Sequence, residues 1–255
     1  MTQELLTELD QEVLRLTINR PERRNALSVD VIRGITEAIL QANRECSARA
    51  IVITSVGDAA FCAGADLQAG TSFKFDFSQP QLGFANMLRA GRASQIPLVA
   101  RVNGACMAGG MGLMGMCDMA VAAPHAKFGL PEVKVGLFPA QVLAVLQPLL
   151  PARVLNEMCL TGTPIDAAQA QAHGLVNAVD AALDERVDQL LASLKAVSGV
   201  AIRRGLYTLK HAQAMPFDQA MAFTESQIGL LAQTDDAREG QAAFREKRKP
   251  VWRGQ

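Results

Sequence analysis

The chain has 255 residues, 49% of them apolar, with 25 basic residues balanced by 25 acidic ones. A formal charge of zero gives no global field to gather nucleic acid or an anionic membrane. Gly, Pro or a charge interrupts every apolar run before it could cross a bilayer, and the N-terminus lacks the basic and apolar regions of a signal peptide. A cytoplasmic protein is expected, built as one large domain or a domain with an appendage.

Residues 4–19 alternate loosely and predict two strands around a turn at Asp10-Gln11. Residues 20–25 form a polar loop. Ser28 then caps a predicted helix whose apolar face carries Val31, Ile32, Ile35, Ile39 and Ala42. Residues 50–54 (AIVIT) are a continuous apolar strand, of the kind buried on both faces. Residues 57–67 read as a loop that ends in small residues, Ala63-Gly64-Ala65-Asp66. Residues 68–83 show no period and read as a long surface loop, a candidate lid. A helix over 84–94 leads to a buried strand at 98–102, and Asn103-Gly104 signals a turn.

Gly109, Gly110, Gly112 and Gly115 follow, in a stretch rich in Met and Ala. Two strands are predicted at 119–122 and 126–128, then Gly129-Leu130-Pro131-Glu132. Beyond residue 140 the pattern is helical, punctuated by Pro148, Pro151, Pro164 and Gly174, with one last strand over 176–179. Residues 183–197, 200–212 and 217–233 read as helices with charged outer faces. Strand–helix alternation in the first two thirds argues an α/β fold with a helical C-terminal appendage.

The five cysteines are odd in number and lack CxxC spacing, so they read as small buried hydrophobes. The three histidines have no metal-like spacing, and no metal site is expected. Met111 and Met114 read mainly as core fillers, with an acyl pocket as their other use.

The glycines admit two functional readings. Gly110 to Gly115 matches GxGxxG, and Glu132 lies about twenty residues on, as a dinucleotide site asks of its acid. Yet the first glycine does not follow its strand directly, and Pro131 sits immediately before the acid. The second reading joins the two small-residue loops, Ala63 to Asp66 and Ala108 to Gly110. If their strands are neighbours, two backbone N–H groups can converge on one oxygen and stabilise an enolate or oxyanion. Glu132, flanked by Leu130, Pro131 and Val133, would then move protons from an apolar setting that raises its pKa. Asp66 and Asp118 read as structural, through turns, caps or hydrogen bonds.

The motifs Asn19-Arg20-Pro21 with Asn25-Ala26-Leu27, Phe61 to Leu67, Val102-Asn103-Gly104 through Gly109-Gly110, Cys117-Asp118, Phe128 to Glu132, Gly136 and the tail Phe244 to Pro250 occur together. On them the chain resembles the enoyl-CoA hydratase/isomerase (crotonase) family over nearly its whole length. The resemblance implies a crotonase-like spiral of ββα units in residues 1–195, holding the CoA site and oxyanion hole. It implies a C-terminal helical trimerisation region in residues 196–255, giving a homotrimer or dimer of trimers. The substrate would be an acyl-CoA thioester, with coenzyme A entering as part of it and no cofactor bound permanently. Nucleic acid and membrane are not expected partners.

By the same resemblance, Ala65 and Gly109 bind the thioester oxygen and Glu132 is the base. The backbone around Ala63, Asp66 and Leu67 borders the adenine, and Arg24 lies where a basic residue serves the CoA phosphates. Phe244 and Lys247 match tail residues that reach the CoA of a neighbouring subunit. One departure decides the reaction type. The family's hydratases hold a water between two glutamates, and the first would stand at Gly112. A single glutamate suits Δ3-Δ2 double-bond isomerisation, which is favoured over hydration. The dienoyl-isomerase branch wants an acid where Ala140 stands. Gln141 could orient a water in the missing acid's place, and residues 138–141 with 68–83 would shape the pocket. The rival of another class is a non-catalytic acyl-CoA-binding oligomer.

Overall fold

The computed structural model describes residues 3–66 and 82–254. β1 (Leu5–Asp10) and β2 (Val13–Ile18) form an antiparallel hairpin. Its turn falls at Gln11-Glu12, one residue later than the sequence suggested, with φ of 45° and 67°. Two successive left-handed residues give a tight turn whose twist matches that of the strands. α1 (Val29–Glu45) follows, and Ser28 Oγ accepts the Val31 N–H at 3.1 Å, as expected of its cap. Val31, Ile35 and Ile39 are fully buried, at about 1.5–3 kcal/mol for each side chain.

In β3 (Ala50–Ser55), Ile51 and Ile53 enter one apolar cluster and Ala50 and Val52 another. Cover on both faces is why this strand lacks polar alternation. From here the chain repeats a pattern. β3 is followed by β4 (Ala60–Cys62) and α2 (Gly83–Ala93); β5 (Leu98–Val102) by β6 (Ala105–Met107) and α3 (Gly109–Gly115). β7 (Met119–Ala122) is followed by β8 (Lys127–Gly129) and a 3-10 turn, Pro131–Val135. The first strand of each pair joins a six-stranded sheet, ordered β1-β2-β3-β5-β7-β10, with β10 at Ala178–Val179. The second joins a four-stranded sheet, β4-β6-β8-β9, with β9 at Ile165–Asp166. This is the expected spiral of ββα units.

The four-stranded sheet corrects the reading from sequence. β4 was expected to be loop and β9 helix or turn, yet both pair with neighbours. Strands of two or three residues are too short to display a period, and tertiary pairing alone defines them. At the corner between the sheets, Asn103 donates from Nδ2 to Ser55 O at 3.0 Å and also to Gly57 O. A Cβ on Gly104 would fall 2.4 Å from Asp58 O, so only glycine fits beside that strand.

α4 (Leu143–Leu146), α5 (Ala152–Thr161) and α6 (Ala167–Ala172) complete the main core. α7 (Leu183–Lys195) covers the outer face of the large sheet through Leu183, Val187 and Leu191. α8 (Gly199–Ala212), α9 (Phe217–Leu231) and α10 (Asp235–Glu246) follow. Four of the five cysteines are buried as expected, but Cys46 is exposed: it is the left-handed cap that ends α1.

One largely buried ion pair ties α8 to the core. Lys210 Nζ lies 2.9 Å from Asp118 Oδ1 and also donates to Ser94 O at 2.9 Å. Asp118 Oδ2 accepts the Leu98 N–H at 2.9 Å, the structural role read from sequence. Lys210→Met strands the Asp118 charge and is expected to cost about 3 kcal/mol. Chemical denaturation checks this, and a midpoint equal to that of the parent would refute it.

Candidate active site

Three segments leave the same edge of the four-stranded sheet. β4, β6 and β8 run parallel, with Cys62 beside Cys106, Cys106 beside Phe128 and Met107 beside Gly129. Their C-terminal ends therefore deliver Ala63 to Asp66, Ala108-Gly109 and Leu130 to Glu132 to one place. That edge is where ligands bind in many parallel sheets.

Ala65 forms a parallel bridge with Leu27. Leu27 N–H donates to Gly64 O at 2.8 Å, and Asp66 N–H donates to Leu27 O at 3.2 Å. In extended chain successive N–H groups alternate sides, so the Ala65 N–H faces away from Leu27. It faces the start of α3. A Cβ on Gly109 would lie 3.6 Å from Ala65 N, and one on Gly64 would lie 3.2 Å from Gly109 N. Neither the Ala65 nor the Gly109 N–H has an acceptor among the described residues. Ala108, immediately before Gly109, sits at φ 51°, ψ −121°. A non-glycine residue held there stores strain, and here it turns the Gly109 amide toward the loop.

Ala108 N–H donates to Gly129 O at 2.9 Å, which fixes the chain three residues before Glu132. Glu132 lies in the 3-10 turn, half-buried, next to fully buried Leu130. Its Oε2 is buried with no hydrogen-bond partner among the described residues. Burial raises its pKa above the ordinary 4.5, opposed in part by a hydrogen bond from its own backbone. Cys159 on α5 is pushed up by its own burial and then by the Glu132 charge.

Arg24 is exposed and left-handed at φ 50°, and its carbonyl accepts the Ala63 N–H at 3.1 Å. The structure thus places Arg24 beside the loop of Ala63 to Asp66. Asp66 is 8% exposed, with Oδ2 2.7 Å from Arg20 Nη2. Arg20 also donates to Ala26 O at 2.7 Å, so this pair braces the loop of Ala63 to Asp66 against the end of β2. The ion pair with Arg20 gives Asp66 a structural role, as expected of it. Leu67, and the lid expected over 68–83 up to residue 81, lie outside the described residues. Phe244 is 85% exposed on α10 and Lys247 is its left-handed cap. Facing solvent in a single chain is what contact with a neighbour's ligand would require.

The GxGxxG glycines meet protein instead of an open cradle. A Cβ at Gly110 would lie 2.4 Å from Cys62 O, at Gly112 2.7 Å from Val142 Cγ1, and at Gly115 2.9 Å from Leu146 Cδ2. They let β4 and α4 approach α3, and the dinucleotide reading falls with them. Met111 and Met114 are core residues, at 0% and 2% exposure. Among the described residues no group of three or more His, Cys, Asp or Glu could hold a metal. Sequence reading named Ala108 and Arg20 only as members of motifs; their roles lie in a backbone angle and a long-range ion pair.

A family model described as "Enoyl-CoA hydratase/isomerase" matches residues 8–255. The chain is 34% identical over 255 residues to "Enoyl-CoA hydratase EchA19" of Mycobacterium tuberculosis, covering 96% of this chain and 94% of that protein. It is 34% identical over 260 residues to the 2,3-dehydroadipyl-CoA hydratase of Escherichia coli, covering 98% and 99%. A crystal structure of enoyl-CoA hydratase from Mycobacterium smegmatis superposes with a TM-score of 0.91 at 30% identity, over 98% of this chain and 99% of that one.

Proposed function

The chain belongs to the enoyl-CoA hydratase/isomerase family, with the crotonase fold, and from that premise we propose a single-glutamate enoyl-CoA isomerase. The buried Oε2 of Glu132, without a partner among the described residues, carries this reading. Two N–H groups with no acceptor among the described residues, of Ala65 and Gly109, polarise the thioester carbonyl of an acyl-CoA. Glu132 takes a proton from C2, the electrons spread onto the carbonyl oxygen as an enolate, and Glu132 returns the proton at C4. Two oriented donors of this kind are each worth roughly 3–4 kcal/mol of barrier.

Arg24 and the backbone of Ala63, Asp66 and Leu67 would hold the nucleotide end of coenzyme A. Residues 196–255 would form the oligomerisation region of a trimer or dimer of trimers. Leu209, Phe217 and Ile228 support that role, being 62%, 77% and 65% exposed. Phe244 and Lys247 would then reach a neighbour's ligand. Hydration is the second reading, favoured by the names of the relatives. The test offers 3-enoyl-CoA and 2-enoyl-CoA side by side and follows mass. Isomerisation leaves mass unchanged and hydration adds one water. Hydration of the 2-enoyl substrate at the isomerisation rate would refute the isomerase.

A further inference from the structure

Gly112 lies three residues after Gly109 on α3, on the same side of the helix. The space its side chain would take is already filled. A Cβ there would stand 2.7 Å from Val142 Cγ1 and 2.9 Å from Phe84 Cζ. A glutamate would need room for four more heavy atoms beyond that. Val142 is 3% exposed and leads into α4, whose Leu146 presses on α3 at Gly115. Its stiff, branched side chain cannot swing aside without its backbone. Phe84, near the start of α2, closes the same space with the end of its ring. The three nearest side-chain atoms to that Cβ are carbon, whereas an ordered water needs two to four polar partners.

We infer that Phe84 and Val142 determine the reaction type, by filling the volume of a second carboxylate and keeping it apolar. The inference rests on the single-glutamate reading above. In isomerisation the C2–H bond breaks, the double bond moves from C3–C4 to C2–C3, and a C4–H bond forms. No atom is gained. Hydration would form a C3–O bond from water and send a water proton to C2. That water is held by the carboxylate whose place these two side chains fill.

Two readouts test this. In thermal melts, Gly112→Ala lowers Tm by about 3 °C or more, and adding Val142→Ala restores most of the loss. A Gly112→Ala protein that melts with the parent overturns the filled volume, whatever the reaction. In assays on 2-enoyl-CoA, Gly112→Glu alone hydrates no faster than the parent. The triple variant Phe84→Ala, Val142→Ala, Gly112→Glu hydrates at least about tenfold faster. A cooperatively melting triple variant without that gain overturns the inference. Should the triple variant not fold, Phe84→Ala with Val142→Ala must raise the ratio of hydration to isomerisation, and an unchanged ratio overturns it. A parent that hydrates as fast as it isomerises instead refutes the isomerase, and the melts still decide the packing.

Discussion

Glu132→Gln is expected to lower kcat by about 10²- to 10⁴-fold while thioester binding persists. The substitution keeps the shape of the side chain and removes only its capacity to take a proton. Burial holds the Glu132 carboxyl above its ordinary 4.5, so the parent loses activity as pH falls through that raised value. A limb in kcat/KM lying above pH 4.5, absent from the residual activity of the variant, is the signature. The stability effect has the opposite sign from that of an ion-paired acid. A carboxyl whose folded pKa is raised contributes stability below its unfolded pKa, and the contribution is lost as pH rises through the folded value. Near neutral pH the ionised group therefore costs stability, and Glu132→Gln should melt no lower than the parent. Full turnover in the variant would remove Glu132 from the reaction.

Gly109→Ala is expected to lower kcat/KM about 10²- to 10³-fold with the fold intact. The nearest protein atom to the added methyl is Leu27 Cδ1 at 3.5 Å, an ordinary contact. The same methyl lies 3.6 Å from Ala65 N, the other proposed donor. A carbon there takes the room an oxygen needs at about 2.9 Å from that nitrogen. Steady-state kinetics beside a thermal melt separate the two effects. An active Gly109→Ala enzyme with unchanged Tm would show that the thioester oxygen binds elsewhere. Ala65 is less useful for this test, because its neighbours Gly64 and Asp66 also hold Leu27 through the backbone.

Gly112 shows how far a sequence carries. In the chain it reads as an absent glutamate, and from that alone the reaction type is open. In the fold it is a point of helix contact, with α4 and α2 pressed into the space. The absent acid and the close packing are one fact seen at two levels. Asp66 is similar: its structural role was legible, but its partner Arg20 lies 46 residues away and no local pattern names it.

By itself the sequence determined the inner strand β3, the capped amphipathic α1, the helical C-terminal third and the candidate residues Ala65, Gly109 and Glu132. Each rests on local physics or on motif: continuous apolarity, a 3.6-residue period, a Ser cap, small residues before a helix. Only the tertiary structure decided that β4, β6 and β8 pair in one small sheet. Strands of three residues have no period to read, and their hydrogen bonds go to segments more than 20 residues distant. That pairing brings three separate loops to one edge, sets the Ala65 and Gly109 amides close together, and leaves a carboxylate oxygen of Glu132 buried without a partner among the described residues.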